Sequence, residues 1–206
     1  MASAALTFGE LLVVMAVLVV VGILVAPKVL RPVRAKVRKA DCASALRSVG
    51  VAFRSFSDEH DKKFPAALVG EDGWSTNWET DFIVSWRSVS NELATPHVLL
   101  CPDDARFAAI DFVSLTRSNL SYFLSLDASP MTPQAVLVGD RNLSSNGVPV
   151  EPGIFSVGPK SVLGVTARLH GGSANLLFGD GSVTAFGSVP GASPAFTTAT
   201  NRLAVP

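Results

Sequence analysis

The chain has 206 residues, in which 17 lysines and arginines balance 17 aspartates and glutamates, so the formal net charge is zero. This balance gives no support for nucleic-acid binding or for a strongly charged partner surface. The length suits one ordinary domain with an appendage but is short for two full domains. The 16 glycines and 13 prolines favour strands and turns over a helical bundle.

The first predicted element is an apolar helix. Residues 11–26 contain no charged side chain, and residues 6–26 contain a single ionisable group, Glu10. About 21 residues at about 1.5 Å each cover roughly 30 Å, the thickness of a bilayer core. A cleaved signal peptide would need a basic start and a small-residue cleavage site after the apolar run, and neither is present. We therefore predict a membrane helix over residues 6–27.

Glu10 is the informative residue of this helix. A carboxylate within a membrane segment costs a few kcal/mol and usually has a partner. If the chain were cut between Ala5 and Leu6, the new α-amino group would lie four residues before Glu10. The amino group of a neighbouring subunit could then neutralise Glu10 and set the axial register of a helical filament.

The segment LTFGELLVVMAVLVVVGILVAP, residues 6–27, resembles the N-terminal processing signal of type IV pilins and type II secretion pseudopilins. The resemblance implies that a prepilin peptidase removes residues 1–5 as a short leader, cutting after Ala5 and leaving Leu6 as the methylated N-terminus. It also implies that Glu10 is the assembly glutamate and that Pro27 loosens the helix. A protein of this family crosses the bacterial inner membrane once, with its C-terminal domain in the periplasm or outside the cell.

Residues 28–63 predict an amphipathic continuation of the helix, bent near Pro32 and ending between Asp61 and Pro65. Its apolar stripe should pack against a globular domain formed by residues 64–206. The stripe consists of Val29, Val33, Val37, Leu46, Val49, Phe53 and Phe56. The bases of its first part, between Lys28 and Lys39, either contact anionic lipid headgroups or form a solvated face.

The globular part predicts one short helix and several strands. Residues 79–93 predict the helix, because Phe82, Ile83, Trp86, Val89 and Leu93 share a face. The predicted strands are 97–101, 120–127, 135–140, 161–169, 174–178 and 182–186, with loops at 66–78 and 141–160. Gly179-Asp180-Gly181 between the last two strands indicates a hairpin. The predicted fold is α+β, a long N-terminal helix packed on an antiparallel β-sheet.

A second set of segments resembles a large bacterial family of pilin-like proteins. The segments are Cys42-x-x-x-Leu46 with SVGVAFRSFSDEHDKKFP, then SNELATPHVLLCPDD, SNLSYFLSLDA and VLVGDRNL. The C-terminal hallmark of the family, a histidine, nine residues and Asp-Gly, is present as His170, Asp180 and Gly181. The resemblance implies a pilin-like fold and association with further copies or with other pilin-like subunits.

Cys42 and Cys101 are the two cysteines of the chain. In an exported domain they can form a disulfide, which would join the long helix to a strand end. Closing a loop of about 59 residues would contribute roughly 4 kcal/mol in the chain-entropy model. The alternative is a pair of buried free thiols.

Asp140, His170 and Asp180 are candidate metal ligands, because all three lie at predicted strand ends. Calcium is the metal that the pseudopilin resemblance suggests, but calcium takes six to eight oxygens and histidine suits it poorly. The alternative, which the residues favour, is a structural role without any cofactor. Asp180 would then bond backbone amides of its own turn, and His170 would end a strand.

No catalytic residues are predicted. The sequence contains no Gly-x-Ser-x-Gly motif and no phosphate-binding loop. Trp74, Trp78 and Trp86 form either a binding patch or part of the core. We therefore expect a non-enzymatic structural subunit of a type IV pilus-like or type II secretion pseudopilus filament. The alternative is a membrane-tethered binding or enzymatic domain that does not polymerise.

Overall fold

The computed structural model describes residues 8–69, 77–158, 161–187 and 201–206, and within the first helix it does not describe the side chains of residues 25–31. The predicted cut between Ala5 and Leu6, the side chain of Pro27 and Trp74 therefore lie outside the described residues. The chain divides into two compact units, and the division falls between Val37 and Arg38.

The N-terminal unit is helical from Phe8 onward, as the first part of helix α1 (Phe8–Glu59). Each side chain from Phe8 to Leu24 is exposed, with 77% of Phe8 and 64% of Leu24 accessible to solvent. Within the described residues, no helix includes a stretch that is both long enough and apolar enough to cross a bilayer. The helix continues through positions 27 and 32, so the prolines there do not end it.

The second unit contains the end of α1 and all further elements. Helix α1 ends at Glu59, two residues before the predicted end. The remaining helices are α2 (Pro65–Val69), α3 (Trp78–Arg87) and α4 (Ser90–Leu93), with short 3-10 helices at Pro96–Leu99 and Arg117–Asn119. The predicted helix over 79–93 is thus divided in two, and its predicted apolar face is buried throughout.

In the described part of the chain, nine strands form two antiparallel sheets. The strands are β1 (Tyr122–Ser125), β2 (Val136–Asp140), β3 (Leu143–Ser145), β4 (Val148–Pro149), β5 (Gly153–Val157), β6 (Leu163–Val165), β7 (Ser173–Phe178), β8 (Val183–Gly187) and β9 (Asn201–Val205). The larger sheet has six strands in the order β5-β9-β1-β2-β7-β8, and the smaller has the order β4-β3-β6. The predicted hairpin is confirmed as β7 and β8, which pair from Ser173 and Gly187 to Leu177 and Val183.

Three sequence predictions for this unit are wrong in whole or in part. Residues 97–101 do not form a strand, because Thr95 caps a 3-10 helix whose first residue is Pro96. Proline has a fixed φ and no N–H, which suits the first turn of a helix better than a sheet ladder. The predicted loop over 141–160 contains β3, β4 and β5, which are short strands between turn residues. Most of the predicted strand over 161–169 is also irregular, and β6 occupies three residues of it.

The core of the second unit lies between α1 and the larger sheet. Leu46, Val49, Phe53 and Phe56 of α1 are buried as predicted, in one cluster with sheet residues such as Val138. Val33 and Val37 of the predicted stripe are instead about half exposed. Each large side chain that is fully buried contributes about 1.5–3 kcal/mol. The α+β prediction, a helix with an antiparallel sheet, is confirmed for the described residues.

Candidate functional site

Four side chains that can ligate a metal converge at one place in the second unit. Cys42 lies on α1, Cys101 follows the first 3-10 helix, Asp140 ends β2, and His170 lies in the turn before β7. One potential ligand atom from each side chain lies within 4.8 Å of the others. We refer to these four residues as the Cys-His-Asp cluster. It joins the helix, the sheet and two connecting segments.

The distances within the cluster are those of direct contact. Cys42 Sγ donates to Asp140 Oδ1 at 3.1 Å, and Cys101 Sγ lies 3.2 Å from Nε2 of His170. The same Nε2 atom lies 3.5 Å from Asp140 Oδ2. Each of the three contacts therefore joins residues from different parts of the fold.

The cluster is closed to solvent. The side chains of Asp140 and His170 are 0% exposed, and both cysteines are fully buried. Burial of a carboxylate or a thiolate without a compensating positive charge is costly. A closed site also leaves no room for a substrate to reach the thiols. The arrangement therefore favours a structural role over a catalytic one.

The two thiols differ in acidity. The contact with Cys42 and the hydrogen bond with His170 together lower the pKa of Cys101 to about 6, against the effect of burial. The pKa of Cys42 is raised by its contact with the sulfur of Cys101, by burial and by the nearby carboxylate of Asp140. Cys101 is therefore the thiol that ionises first, and its charge lies beside the imidazole.

The pKa values of Asp140 and His170 are also shifted by burial and by contacts within the cluster. Burial raises the pKa of Asp140, although it accepts hydrogen bonds from the backbone N–H of Asn175 at 2.6 Å and from its side-chain amide at 3.1 Å. Burial alone would lower the pKa of His170, but its contact with Cys101 raises it. The four groups are in direct contact, so their protonation states depend on one another.

The backbone around His170 fixes the direction of its ring. His170 has φ +50°, which is uncommon for a residue with a side chain, and Gly171 and Gly172 continue the left-handed turn at φ +61° and +93°. The backbone N–H of His170 donates to Asp103 Oδ2 at 2.7 Å. Asp103 in turn accepts from Nε of Arg38 at 2.6 Å. These contacts hold the ring with Nε2 inside the cluster.

Asp180 and Gly181 lie at the other end of β7, outside the Cys-His-Asp cluster. Asp180 is exposed and accepts from the backbone N–H of Ser182 at 2.8 Å, so its predicted local turn contact is present. Gly181 has φ +79°, and a Cβ atom there would lie 2.6 Å from Nη2 of Arg54 on α1. Of the three candidate ligands, Asp140 and His170 therefore come together, and Asp180 has a turn-forming role.

Cys42 and Cys101 are free thiols in this structure, and the disulfide between them stays a prediction. Their sulfur atoms are nevertheless neighbours in the cluster. Cys42 Sγ contacts Asp140 and lies 3.4 Å from the hydroxyl of Tyr122, and Cys101 Sγ contacts His170. Polar partners thus satisfy each thiol in place of the second sulfur.

The donor set decides which metals fit the cluster. Two sulfurs, one imidazole nitrogen and one carboxylate oxygen make a four-coordinate set typical of zinc. Calcium requires six to eight oxygen donors, and the cluster offers one carboxylate. The calcium hypothesis of the sequence therefore does not fit these residues.

The sequence did not indicate three residues that support the cluster. Tyr122, Asn175 and Asp103 contact Cys42, Asp140 and His170 respectively. Asp103 lies two residues after Cys101, and this short spacing could have indicated that its carboxylate lies near the cluster. Tyr122 and Asn175 lie on strands β1 and β7, and only the strand pairing brings them to the site.

No known protein-family model, curated protein or solved structure matches this chain. Its function is therefore argued from its own residues.

Proposed function

We propose that the chain is a structural subunit of a type IV pilus-like or type II secretion pseudopilus filament, held in the bacterial inner membrane by its N-terminal helix. In this role it is not an enzyme. Its partners are further copies or other pilin-like subunits, the membrane and a prepilin peptidase. Leu6 becomes the N-terminus, and Glu10 and Pro27 act in assembly.

The exposure of the N-terminal part of α1 carries this proposal. Every side chain from Phe8 to Leu24 is exposed, and most of them are Val, Leu, Ile or Met. Soluble monomers rarely leave an apolar surface of this size uncovered, and such surfaces mark contacts with membranes or with other proteins. Lipid before assembly and neighbouring helices after it would both cover the segment.

The second unit supports the same role. The later part of α1 packs its apolar face on an antiparallel sheet, so the domain is built onto the helix that the filament would use. The closed Cys-His-Asp cluster offers no substrate access, which agrees with a structural subunit. The alternative is a membrane-tethered domain that binds or reacts without polymerising, and the same helix could serve as its anchor.

Cross-linking of the full chain in a bacterial host that has a prepilin peptidase tests the proposal. A photo-reactive amino acid at position 17, where Val17 is 56% exposed, should give a ladder of cross-linked copies. Intact mass should show loss of residues 1–5. Glu10→Ala should abolish the ladder, because the carboxylate that aligns neighbouring helices is gone.

Glu59→Ala is the matched control, since it removes an exposed carboxylate from the other end of the same helix. It should leave the ladder unchanged. Monomeric protein in wild type, or equal ladders in wild type and Glu10→Ala, would contradict the filament role and favour the tethered domain.

A further inference from the structure

The geometry points to a zinc site: we infer that Cys42, Cys101, Asp140 and His170 together bind one Zn²⁺ ion, which fastens helix α1 to the sheet. This inference does not depend on filament assembly. It concerns the domain of the second unit, and its tests have readouts that polymerisation does not affect.

The first support is the spacing of the donor atoms. With zinc bonds of about 2.0–2.3 Å, ligand atoms in a tetrahedral site lie about 3.3–3.8 Å apart. The contacts of the cluster are 3.1 Å for sulfur to oxygen, 3.2 Å for sulfur to nitrogen and 3.5 Å for nitrogen to oxygen. An expansion of a few tenths of an ångström along the shorter contacts would bring them to tetrahedral values.

The second support is the charge of the cluster. Its acidic groups are two thiols and one carboxylate, all buried, and its potential cation is the imidazole of His170. Zn²⁺ binds thiolates and neutral imidazole, so metal binding would displace the protons that the cluster otherwise shares. The divalent charge would then compensate the buried thiolates and carboxylate.

The third support is the set of groups around the donors. Nδ1 of His170 is buried without a hydrogen-bond partner within 3.5 Å, and it lies 3.6 Å from Asp103 Oδ2. Metal-bound histidines commonly present their second ring nitrogen to a carboxylate, which fixes the tautomer and strengthens the ligand. The N–H groups of Asn175 bond Asp140 Oδ2, and the Tyr122 hydroxyl lies beside Cys42 Sγ. Three of the four donors are thus oriented by a neighbour.

The class of site follows from its closure. Catalytic zinc sites keep an open position for water or substrate, whereas structural sites use four protein ligands. Four donors from four separate segments and complete burial describe a structural site. Zinc would link α1 through Cys42, the segment after the 3-10 helix through Cys101, β2 through Asp140 and the turn before β7 through His170.

Cobalt substitution tests the inference on the full chain, purified in mild detergent and reduced. Titration with Co²⁺ should give thiolate-to-cobalt charge-transfer bands and the intense visible bands of tetrahedral cobalt, saturating at one ion per chain. Zn²⁺ should then displace the cobalt. Protein purified without added metal or reductant should contain zinc by elemental analysis.

Substitutions within and outside the cluster distinguish metal ligands from residues that do not bind the metal. Cys101→Ser and His170→Asn should lose the charge-transfer intensity or the tetrahedral bands, and asparagine tolerates the left-handed backbone of position 170. The matched controls are His97→Asn, an exposed histidine, and Asp180→Asn, the motif carboxylate outside the cluster. Both controls should bind cobalt like wild type.

A measurement on the wild-type protein tests the zinc site even if the variants fail to fold. Zinc should slow the alkylation of Cys42 and Cys101 by at least about tenfold at a urea concentration where the buried site opens transiently, because ligated thiolates are not free to react. Absence of cobalt bands with reduced wild-type protein would overturn the inference. An intact mass two hydrogens lower in natively purified, metal-free protein would also overturn it, since it shows a Cys42–Cys101 disulfide in place of the metal.

Discussion

Asp103 holds His170 at two points: Oδ2 accepts the backbone N–H of His170 at 2.7 Å, and the same oxygen lies 3.6 Å from Nδ1 of the ring. The carboxylate therefore controls both the position of the turn and the orientation of the imidazole. Arg38 on α1 bonds the other oxygen of Asp103. The arrangement extends the Cys-His-Asp cluster by one carboxylate and one guanidinium.

Asp103→Asn should weaken zinc binding by about 10- to 100-fold, because the amide can still accept the backbone N–H but no longer presents a charge to Nδ1. Competition with a chelator of known affinity measures the change. Asp111→Asn, an exposed carboxylate, is the control. Equal zinc affinity in wild type and Asp103→Asn would show that Asp103 only shapes the turn.

Gly139→Ala should destabilise the domain by about 1–3 kcal/mol. A Cβ atom at this position would lie 2.6 Å from Cδ2 of Leu176 and 2.7 Å from the ring of Phe123, inside the packed sheet. Urea denaturation followed by tryptophan fluorescence gives the free energy of unfolding. Gly187→Ala is the control, since a Cβ there meets nothing within 4 Å. Equal stability of the two variants would contradict the close packing at Gly139.

Phe53→Ala should cost about 3–5 kcal/mol, because it removes a fully buried ring from the core that α1 shares with α3. The ring centroid of Phe53 lies 5.5 Å from that of Trp86 in an edge-to-face contact, so the fluorescence of the folded state should also change. Val51→Ala on the exposed side of α1 should cost less than about 0.5 kcal/mol. A small effect of Phe53→Ala on the urea midpoint would mean that the helix does not depend on this face.

The stability of the domain should decrease in acid through Asp104. Burial opposes ionisation of this carboxyl, but Arg141 and the hydroxyl of Ser121 outweigh it and lower the pKa of Asp104 below its ordinary value. A carboxylate with a lowered native pKa stabilises the fold above the unfolded pKa of about 3.9 and loses that contribution as pH falls through the native pKa.

Asp104→Asn tests this pH dependence. The free energy of unfolding of wild type should fall as the pH drops from about 5 through the native pKa of Asp104, and the variant should start lower and fall less. The variant should be less stable than wild type already at neutral pH, because Arg141, whose side chain is 16% exposed, loses the carboxylate that pairs with it. Asp61→Asn, at an exposed turn position, should keep the wild-type slope. Parallel curves for wild type and Asp104→Asn would assign the acid sensitivity to other groups.

Helical periodicity predicted the packed face of the later part of α1 correctly, because Leu46, Val49, Phe53 and Phe56 follow the 3.6-residue repeat and each is buried in the core cluster. Short strands were harder to predict. Strand β5 alternates between partly buried and exposed residues beside glycine and proline, and β9 pairs with β1 and β5 from the far end of the chain. Propensity within a short window does not contain such long-range pairing.

The candidate site was predicted in part for a related reason. Asp140 and His170 were candidate ligands from the sequence, and Cys42 and Cys101 were paired as a disulfide. The convergence of all four depends on the β2–β7 pairing and on the packing of α1, and the contact between Cys42 and Asp140 alone joins residues 98 positions apart. In the sequence, Asp180 is as good a candidate ligand as Asp140, but in the structure its carboxylate accepts the backbone N–H of Ser182 in the same turn.

Strand β7 is attached to α1 at both ends, and this makes its length a constraint in itself. His170, before the strand, joins the cluster that contains Cys42, while the turn after it brings Gly179 O within 3.4 Å of Nη2 of Arg54. The length of β7 therefore has to match the separation between Cys42 and Arg54 on α1. Exchanges of side chains within it change local packing, whereas one inserted or deleted residue would reverse its faces and detach one of the two ends. The number of residues between His170 and Asp180, nine, is thus constrained by the structure independently of which residues they are.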